Sequence, residues 1–254
     1  MKKLFFLLVL VVSCTQMWSQ DVDKTSGSAN SKEDRNFRIP LIGEKAPSFS
    51  AESTNGTINF PDDFGHSWKI LFSHPKDFTP VCSTEILNLA HLQSQFDLLG
   101  VKLVVISTDR LETHVQWKKA LEMLKLDNKE FVKIRFPLVD DENIVVSKQY
   151  GMIHPETNST RSVRGVFIID PDNIIQAIYF YPMNVGRSTY ELIRMIKALQ
   201  TSSKDKVLMP ANWEEGNDVL VRTPPKVDDN SPKTEIADYY NPAWFLWYKK
   251  VKNN

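Results

Sequence analysis

The hydrophobic pattern divides the chain into an apolar head, a polar stretch, a long segment of alternating strand-like and helix-like periods, and a tail rich in aromatic residues. Residues 4–12 are uninterruptedly apolar, whereas 21–37 carry Ser, Lys, Asp and Asn without an apolar period, the composition of a flexible spacer. The core pattern starts near Ile39, and Thr54-Asn55-Gly56-Thr57 is a hairpin turn signal. Residues 69–74 form a short apolar run flanked by turn residues, which suits a buried strand, and Leu89, Leu92, Phe96 and Leu99 then recur at helical spacing. Residues 101–107 read as a second buried strand, 111–126 as a helix, and 143–150 as a short helix closed by Gly151. Strands at 164–170 and 174–181 are joined by the turn sequence Pro171-Asp172-Asn173, and 188–200 places Tyr190, Ile193, Ile196 and Leu199 at helical spacing. Strands alternating with helices, then a hairpin and a closing helix, predict an α/β fold with a central mixed sheet flanked by helices.

Composition narrows the function classes. With 254 residues, 42% of them hydrophobic, and 31 basic against 31 acidic side chains, the chain suits one large domain with appendages and shows no general attraction to nucleic acid. It has no long basic run, no phosphate-cradling glycine motif and no paired-cysteine zinc spacing, and its five histidines are dispersed. Metal-free thiol chemistry is the simpler expectation.

The candidate chemistry lies where the first long apolar strand meets its helix, at Thr79-Pro80-Val81-Cys82. A thioredoxin-type redox site would place Cys-x-x-Cys here, but Thr79 stands in the first cysteine's position and Cys82 alone remains. One thiolate can attack an electrophile such as a peroxide, and it cannot close a disulfide with its neighbour. Thr79 reads as N-cap and Pro80 as the first helical residue, so Cys82 falls in the first turn, near free backbone donors and the positive end of the helix dipole. Both favour thiolate over thiol. The alternative reading of such a residue is a buried structural cysteine.

Pro75-Lys76-Asp77-Phe78-Thr79-Pro80-Val81-Cys82 resembles the Pro-x-x-x-Thr/Ser-x-x-Cys signature of the peroxiredoxin family (alkyl hydroperoxide reductase / thiol-specific antioxidant), and Leu71-Phe72-Ser73-His74-Pro75 resembles its one-cysteine branch. Arg164-Gly165-Val166-Phe167-Ile168-Ile169-Asp170-Pro171 resembles the family's strand bearing an active-site arginine, and Tyr181-Pro182-Met183-Asn184-Val185-Gly186-Arg187-Ser188 the segment opening its last core helix. The likeness covers about residues 38–225. It implies a thioredoxin-like fold with an extended C-terminal arm, and a thiol-dependent peroxidase that reduces hydrogen peroxide and alkyl hydroperoxides through a Cys82 sulfenic acid, in antioxidant defence and redox homeostasis. Carried over by motif, Cys82 is the nucleophile, Arg164 holds the thiolate and polarises the peroxide, the Thr79 hydroxyl hydrogen-bonds the attacked oxygens, and Pro75 excludes water. Arg187 and Glu85 are either partners of these groups or ordinary helix-surface charges, and His74 either lines the pocket or is a satisfied histidine at a strand end. The resemblance implies no cofactor and no metal, but an external thiol reductant, thioredoxin-like or of low molecular weight.

Met1-Lys2-Lys3 followed by the apolar run 4–12 has the charged and hydrophobic regions of a secretory signal. The expected organisation is a signal at 1–20, a spacer at 21–37, a thioredoxin-like domain at 38–203 and a C-terminal extension at 204–254. The expected address is the periplasm, cell envelope or exterior. Val11-Val12-Ser13-Cys14 also resembles a lipobox, so Cys14 is either lipidated, giving the one expected membrane contact, or removed by cleavage near Ser19-Gln20. In both cases Cys82 is the lone thiol of the mature chain, and reduction comes from outside.

Beyond Lys204, Pro210-Ala211-Asn212-Trp213, Thr223-Pro224-Pro225 and the aromatics within 240–248 suggest an arm that packs against a second copy, giving a homodimer or a higher ring, or else packs back on its own core. Two rival functions remain. A thioredoxin-fold chaperone or binding module would keep the fold with incidental peroxidase activity. The resemblance also implies a lipase-like rival, since some one-cysteine relatives carry a phospholipase site built from Ser, His and Asp, for which Ser67 and Asp172 stand in the matching places. Against it, Pro61 fills the histidine position of those relatives and His66 adjoins Ser67 at the wrong spacing.

Overall fold

The structure is a computed structural model that describes residues 38–223 and 238–251. The expected signal and spacer, with Cys14, lie outside the described residues. Among the described residues no helix is long and apolar enough to cross a membrane.

A five-stranded mixed sheet organises the chain. β1 (Phe49–Ala51) and β2 (Ile58–Phe60) form a separate antiparallel hairpin around the expected turn. The large sheet contains β3 (Trp68–Ser73), β4 (Val101–Ser107), β5 (Leu138–Asp140), β6 (Arg164–Ile169) and β7 (Ile175–Tyr181), ordered β5-β4-β3-β6-β7. β3 runs parallel to β4, and β4 to β5; β6 runs antiparallel to both β3 and β7. The helices are α1 (Pro80–Leu98), α2 (Leu111–Leu121), α3 (Val145–Gln149) and α4 (Thr189–Asp205).

Two apolar layers follow from the alternation of side chains along the strands. On one face Ile70, Phe72, Val105, Val166 and Ile168 pack with Cys82, Ile86, Leu89, Phe96, Trp117 and Ile196 from the helices. On the other, Leu71, Val104, Ile106, Phe167 and Ile169 pack with Phe60, Val146, Tyr150 and Met152. Both faces of β3 and β6 are therefore covered, which explains their near-continuous apolar sequences.

The expected elements occur with three differences. The helix starting at 111 stops at Leu121 instead of continuing to 126, because Met123 and Leu124 face solvent and the chain turns through Asp127 and Asn128, both with left-handed φ, before Val132 and Ile134 return to the core. α4 runs to Asp205, so the boundary expected at 203 falls within its last turn. The strand β5 carries no periodic signal in three residues, and its place at the sheet edge comes from pairing with β4.

The extension divides in two. Its first part packs back on the chain itself: Trp213 is buried with Ala198 of α4, Val207 and Val219. Its second part builds a small sheet, β8-β10-β9, from β8 (Val219–Leu220), β9 (Tyr239–Ala243) and β10 (Leu246–Lys249). The turn joining β9 to β10 presents Trp244 and Phe245 to solvent, 84% and 70% exposed.

Candidate active site

The site forms where three chain segments converge at the carboxyl end of β3. The loop 74–79 leaves β3 and enters α1 at Pro80, whose missing N–H costs nothing in the first turn. β6 runs antiparallel to β3 with Phe72 opposite Val166, so Arg164, at the start of β6, lies beside the exit of β3. The β7–α4 connection then supplies Met183 and Arg187.

Cys82 is fully buried in the first turn of α1. Nη1 of Arg164 donates to its Sγ at 3.2 Å and to Oε2 of Glu85 at 2.7 Å. Glu85 is three residues beyond Cys82, on the same helix face, so one guanidinium reaches both. Nε, at 3.0 Å, and Nη2 of Arg164 donate to the Met183 carbonyl. Arg164 is thus held from both ends of its guanidinium.

Arg187 completes a buried ion network. Its Nε and backbone N–H donate to Oε1 of Glu85 at 2.8 and 2.7 Å, its Nη2 to Oε2 at 2.9 Å, and its Nη1 to the Gly165 carbonyl at 2.9 Å. Its guanidinium carbon also lies 3.3 Å from the centroid of the Phe72 ring, a cation–π contact. Burial alone would raise the Glu85 carboxyl, but the hydrogen bonds and charge of Arg187, with the charge of Arg164, outweigh it and hold Glu85 below its ordinary range. An ionised Glu85 is therefore shared between two guanidiniums in the core and offsets one of their two charges. Arg187 and Glu85 belong to the site and are not helix-surface charges.

Thr79 occupies the N-cap position of α1, but its side chain makes no capping bond. Its hydroxyl instead donates to the Lys76 carbonyl at 2.8 Å. Thr79 is still the N-cap, as expected, its carbonyl accepting from the Ser83 N–H at 2.9 Å. The bond to Lys76 restricts the hydroxyl's part in the chemistry: with its hydrogen engaged, Thr79 Oγ1 is left with lone pairs that accept a hydrogen bond. Pro75 is buried, and its carbonyl accepts from Arg161 Nη1 at 3.3 Å.

His74 is fully buried at the end of β3. Its Nε2 lies 2.8 Å from Oδ1 of Asp77, and its ring is 5.0 Å, centroid to centroid, from Trp117. The second carboxylate oxygen of Asp77 lies 2.7 Å from Nδ1 of His114, on α2. Sequence reasoning did not single out Asp77 or His114. Thirty-seven residues separate them, and the fold alone brings them together. The backbone acceptors Met183 and Gly165 left no trace in side-chain identity either. His74, Asp77 and Asp109 bring ligand-type atoms within 4.8 Å of one another, but hydrogen bonds inside this cluster already engage them.

The lipase-like arrangement finds no support in the geometry. His66 Nδ1 stands 3.8 Å from Asp172 Oδ1 with both side chains largely exposed, and among the described residues the Ser67 hydroxyl makes no hydrogen bond to His66.

A buried cysteine at a helix N-terminus, touched by an arginine whose charge is shared with a carboxylate, is built for nucleophilic thiol chemistry. The comparisons agree. The AhpC/TSA family model matches residues 42–178, and the model described as the C-terminal domain of 1-Cys peroxiredoxin matches residues 198–236. The chain is 42% identical over 191 residues to a peroxiredoxin of Methanosarcina mazei, covering 75% of this chain and 87% of that protein. It is 39% identical over 220 residues to the mitochondrial peroxiredoxin PRX1 of Saccharomyces cerevisiae, covering 83% and 81%. Among solved structures, a yeast mitochondrial 1-Cys peroxiredoxin superposes with a TM-score of 0.73 at 36% identity over 84% of this chain and 100% of that one. A cysteine-to-serine mutant of peroxiredoxin 6 from Arenicola marina gives 0.73 at 32% identity over 85% and 100%.

Proposed function

The chain belongs to the AhpC/TSA family of peroxiredoxins, which are thiol-dependent peroxidases, and from that premise we propose that Cys82 is its peroxidatic nucleophile and that Arg164, Thr79 and Pro75 complete the catalytic pocket. The observation that carries this reading is the hydrogen bond from Arg164 Nη1 to Cys82 Sγ at 3.2 Å. The guanidinium fixes the position of the sulfur and is placed to bind the peroxide oxygens as charge moves onto them. Thiolate sulfur attacks one peroxide oxygen, an S–O bond forms and the O–O bond breaks. The attacked hydroxyl stays on sulfur as the sulfenic acid; the departing oxygen takes the electron pair, picks up a proton from solvent, and leaves as water or an alcohol. Thr79 Oγ1 accepts the peroxide hydroxyl hydrogen and orients the bond for attack.

The sulfenic acid on Cys82 is then reduced by an external thiol, because no second cysteine exists among the described residues. The solved yeast relative is described as resolved via glutathione and thioredoxin systems, and a thiol of either kind is the reductant class proposed here. The charged and apolar segments at the start of the chain support export to the cell envelope or exterior.

Single-turnover oxidation by hydrogen peroxide, read by intact mass, tests the reading. The parent protein gains one oxygen on Cys82 rapidly; Cys82→Ser gains none, and Arg164→Ala slows the reaction about 10²- to 10³-fold. Oxidation of the parent no faster than that of a free thiol, or unchanged in Arg164→Ala, would refute it. The same mass readout on protein from its own cells decides the address, since an intact Met1 would rule out a cleaved signal.

A further inference from the structure

The loop 74–79 that delivers Thr79 to Cys82 contains a conformational conflict. Phe78, 56% exposed, has φ of 53°, a left-handed conformation that a bulky aromatic residue avoids unless its surroundings impose it. Its neighbour Asp77 is buried and anchored three ways. The Asp77 backbone N–H donates to Asp109 Oδ2 at 2.7 Å, Oδ1 faces His74 Nε2 at 2.8 Å, and Oδ2 faces His114 Nδ1 at 2.7 Å. The far nitrogen of His114 lies 3.0 Å from the Val139 carbonyl on β5. Asp77 therefore ties the loop to the end of β3, to α2 and, through His114, to β5.

We propose that Asp77 is a positioning residue of the peroxidase reaction: bridged between His74 and His114, its carboxylate imposes the left-handed turn at Phe78 and so sets Thr79 and Pro75 against Cys82. The inference rests on Cys82 being the peroxidatic thiol. An ionised Asp77 only accepts hydrogen bonds, so it also fixes the His74 tautomer, with hydrogen on Nε2. That leaves Nδ1 of His74 as an acceptor, and it is buried without a partner. The charges agree with this assignment. Burial would raise Asp77, but the hydrogen bonds from His114 and His74 hold its carboxyl below the ordinary range, and burial holds His74 low and therefore neutral.

A residue that only held the fold together would alter stability and general access to the thiol. A positioning residue alters the reaction that needs Thr79 and spares the one that does not. The measurement compares single-turnover oxidation of Cys82 by hydrogen peroxide with its alkylation by iodoacetamide, which needs thiolate but no oriented peroxide. Asp77→Asn and His114→Leu are expected to slow peroxide oxidation about tenfold or more while changing alkylation by less than about twofold. His114→Asn, whose amide N–H stands in for the ring Nδ1–H, is expected to recover most of the rate lost in His114→Leu. In the unsubstituted protein, two-bond ¹H–¹⁵N spectra are expected to show His74 with hydrogen on Nε2 and an unprotonated Nδ1.

Peroxide rates close to the parent's in Asp77→Asn and His114→Leu overturn the proposal. So does a fall in peroxide oxidation proportional to the fall in alkylation, a His114→Asn variant as slow as His114→Leu, or a His74 ring protonated on Nδ1. If Asp77→Asn does not fold, the His114 pair and the tautomer measurement still decide. Parent protein that reacts no faster than a free thiol would instead remove the peroxidase reading on which the inference stands.

Discussion

Glu85 shows how much of this site depends on one residue. Its two oxygens accept from Arg164 Nη1 and from the backbone, Nε and Nη2 of Arg187, so one buried carboxylate bridges two buried guanidiniums and offsets one of their two positive charges, the other facing the Cys82 sulfur. Replacing it with glutamine keeps the shape but removes the one carboxylate that both buried guanidiniums share, at a cost of about 3–5 kcal/mol at neutral pH. The folded carboxyl is held below its ordinary value of 4.5, so its contribution is fully present above that value and is lost as pH falls through the lower folded value. Denaturant melts of parent and Glu85→Gln at neutral pH, near pH 5 and near pH 3 should show a constant gap at the first two and a narrower one at the third. A gap that stays constant into acid would show that the charge is not what Glu85 contributes. The proposed roles of Cys82, Thr79, Pro75 and Arg164 come from short contiguous signatures, and the structure brings Arg164 against Cys82. The Asp77–His114 pair was not legible in the sequence, since its meaning resides in a contact between a loop and α2 that no local pattern encodes.

Element by element, the sequence is most readable where a segment carries a continuous apolar run or a sustained helical period of its own. β3, β4 and β6 have the first, being covered on both sheet faces, and α1 the second, and their expected positions hold to within a residue or two. The expected end of α2 does not hold, because Met123 and Leu124 extend the apolar period while the chain has already turned outward. β5 consists of three residues whose strand character depends wholly on its neighbours. α4 carries its start signal in Ser188, whose hydroxyl accepts from the Glu191 backbone N–H at 3.3 Å, and that cap directly follows Arg187. Ser188→Ala should cost about 1 kcal/mol of stability. It should leave the peroxide rate near that of the parent, because Arg187 is held by Glu85 and the Gly165 carbonyl independently of the cap. Thermal melts beside single-turnover rates check this; a large loss of rate without a loss of stability would mean that the cap, and not Glu85, positions the arginine.

At the scale of the whole molecule, the extension has two different energetic situations. Trp213 satisfies the reading in which the tail's aromatics return to their own core, since it is 3% exposed against α4 and Val207. The β9–β10 turn does the opposite. Trp244 and Phe245 stand edge to face at 5.4 Å with 84% and 70% of their surfaces in solvent, on a hairpin stiffened by stacked Tyr240 and Tyr248 rings 5.0 Å apart. Two large aromatic side chains held together on a rigid support lose little conformational freedom on binding and gain their full burial, the usual composition of an interface anchor. A second copy of the chain is the proposed partner, giving at least a homodimer. Sedimentation velocity at micromolar concentration should find the parent as a dimer or larger ring, and the double variant Trp244→Asp, Phe245→Asp shifted toward monomer with its melting of the 38–205 core unchanged. A parent that sediments as a monomer, or a variant that assembles as the parent does, would show that these aromatics serve some other contact. The single-turnover rate of the variant separates assembly from chemistry. Arg164, Glu85 and Arg187 are all supplied by one chain, so each Cys82 should oxidise as fast in the monomer as in the dimer.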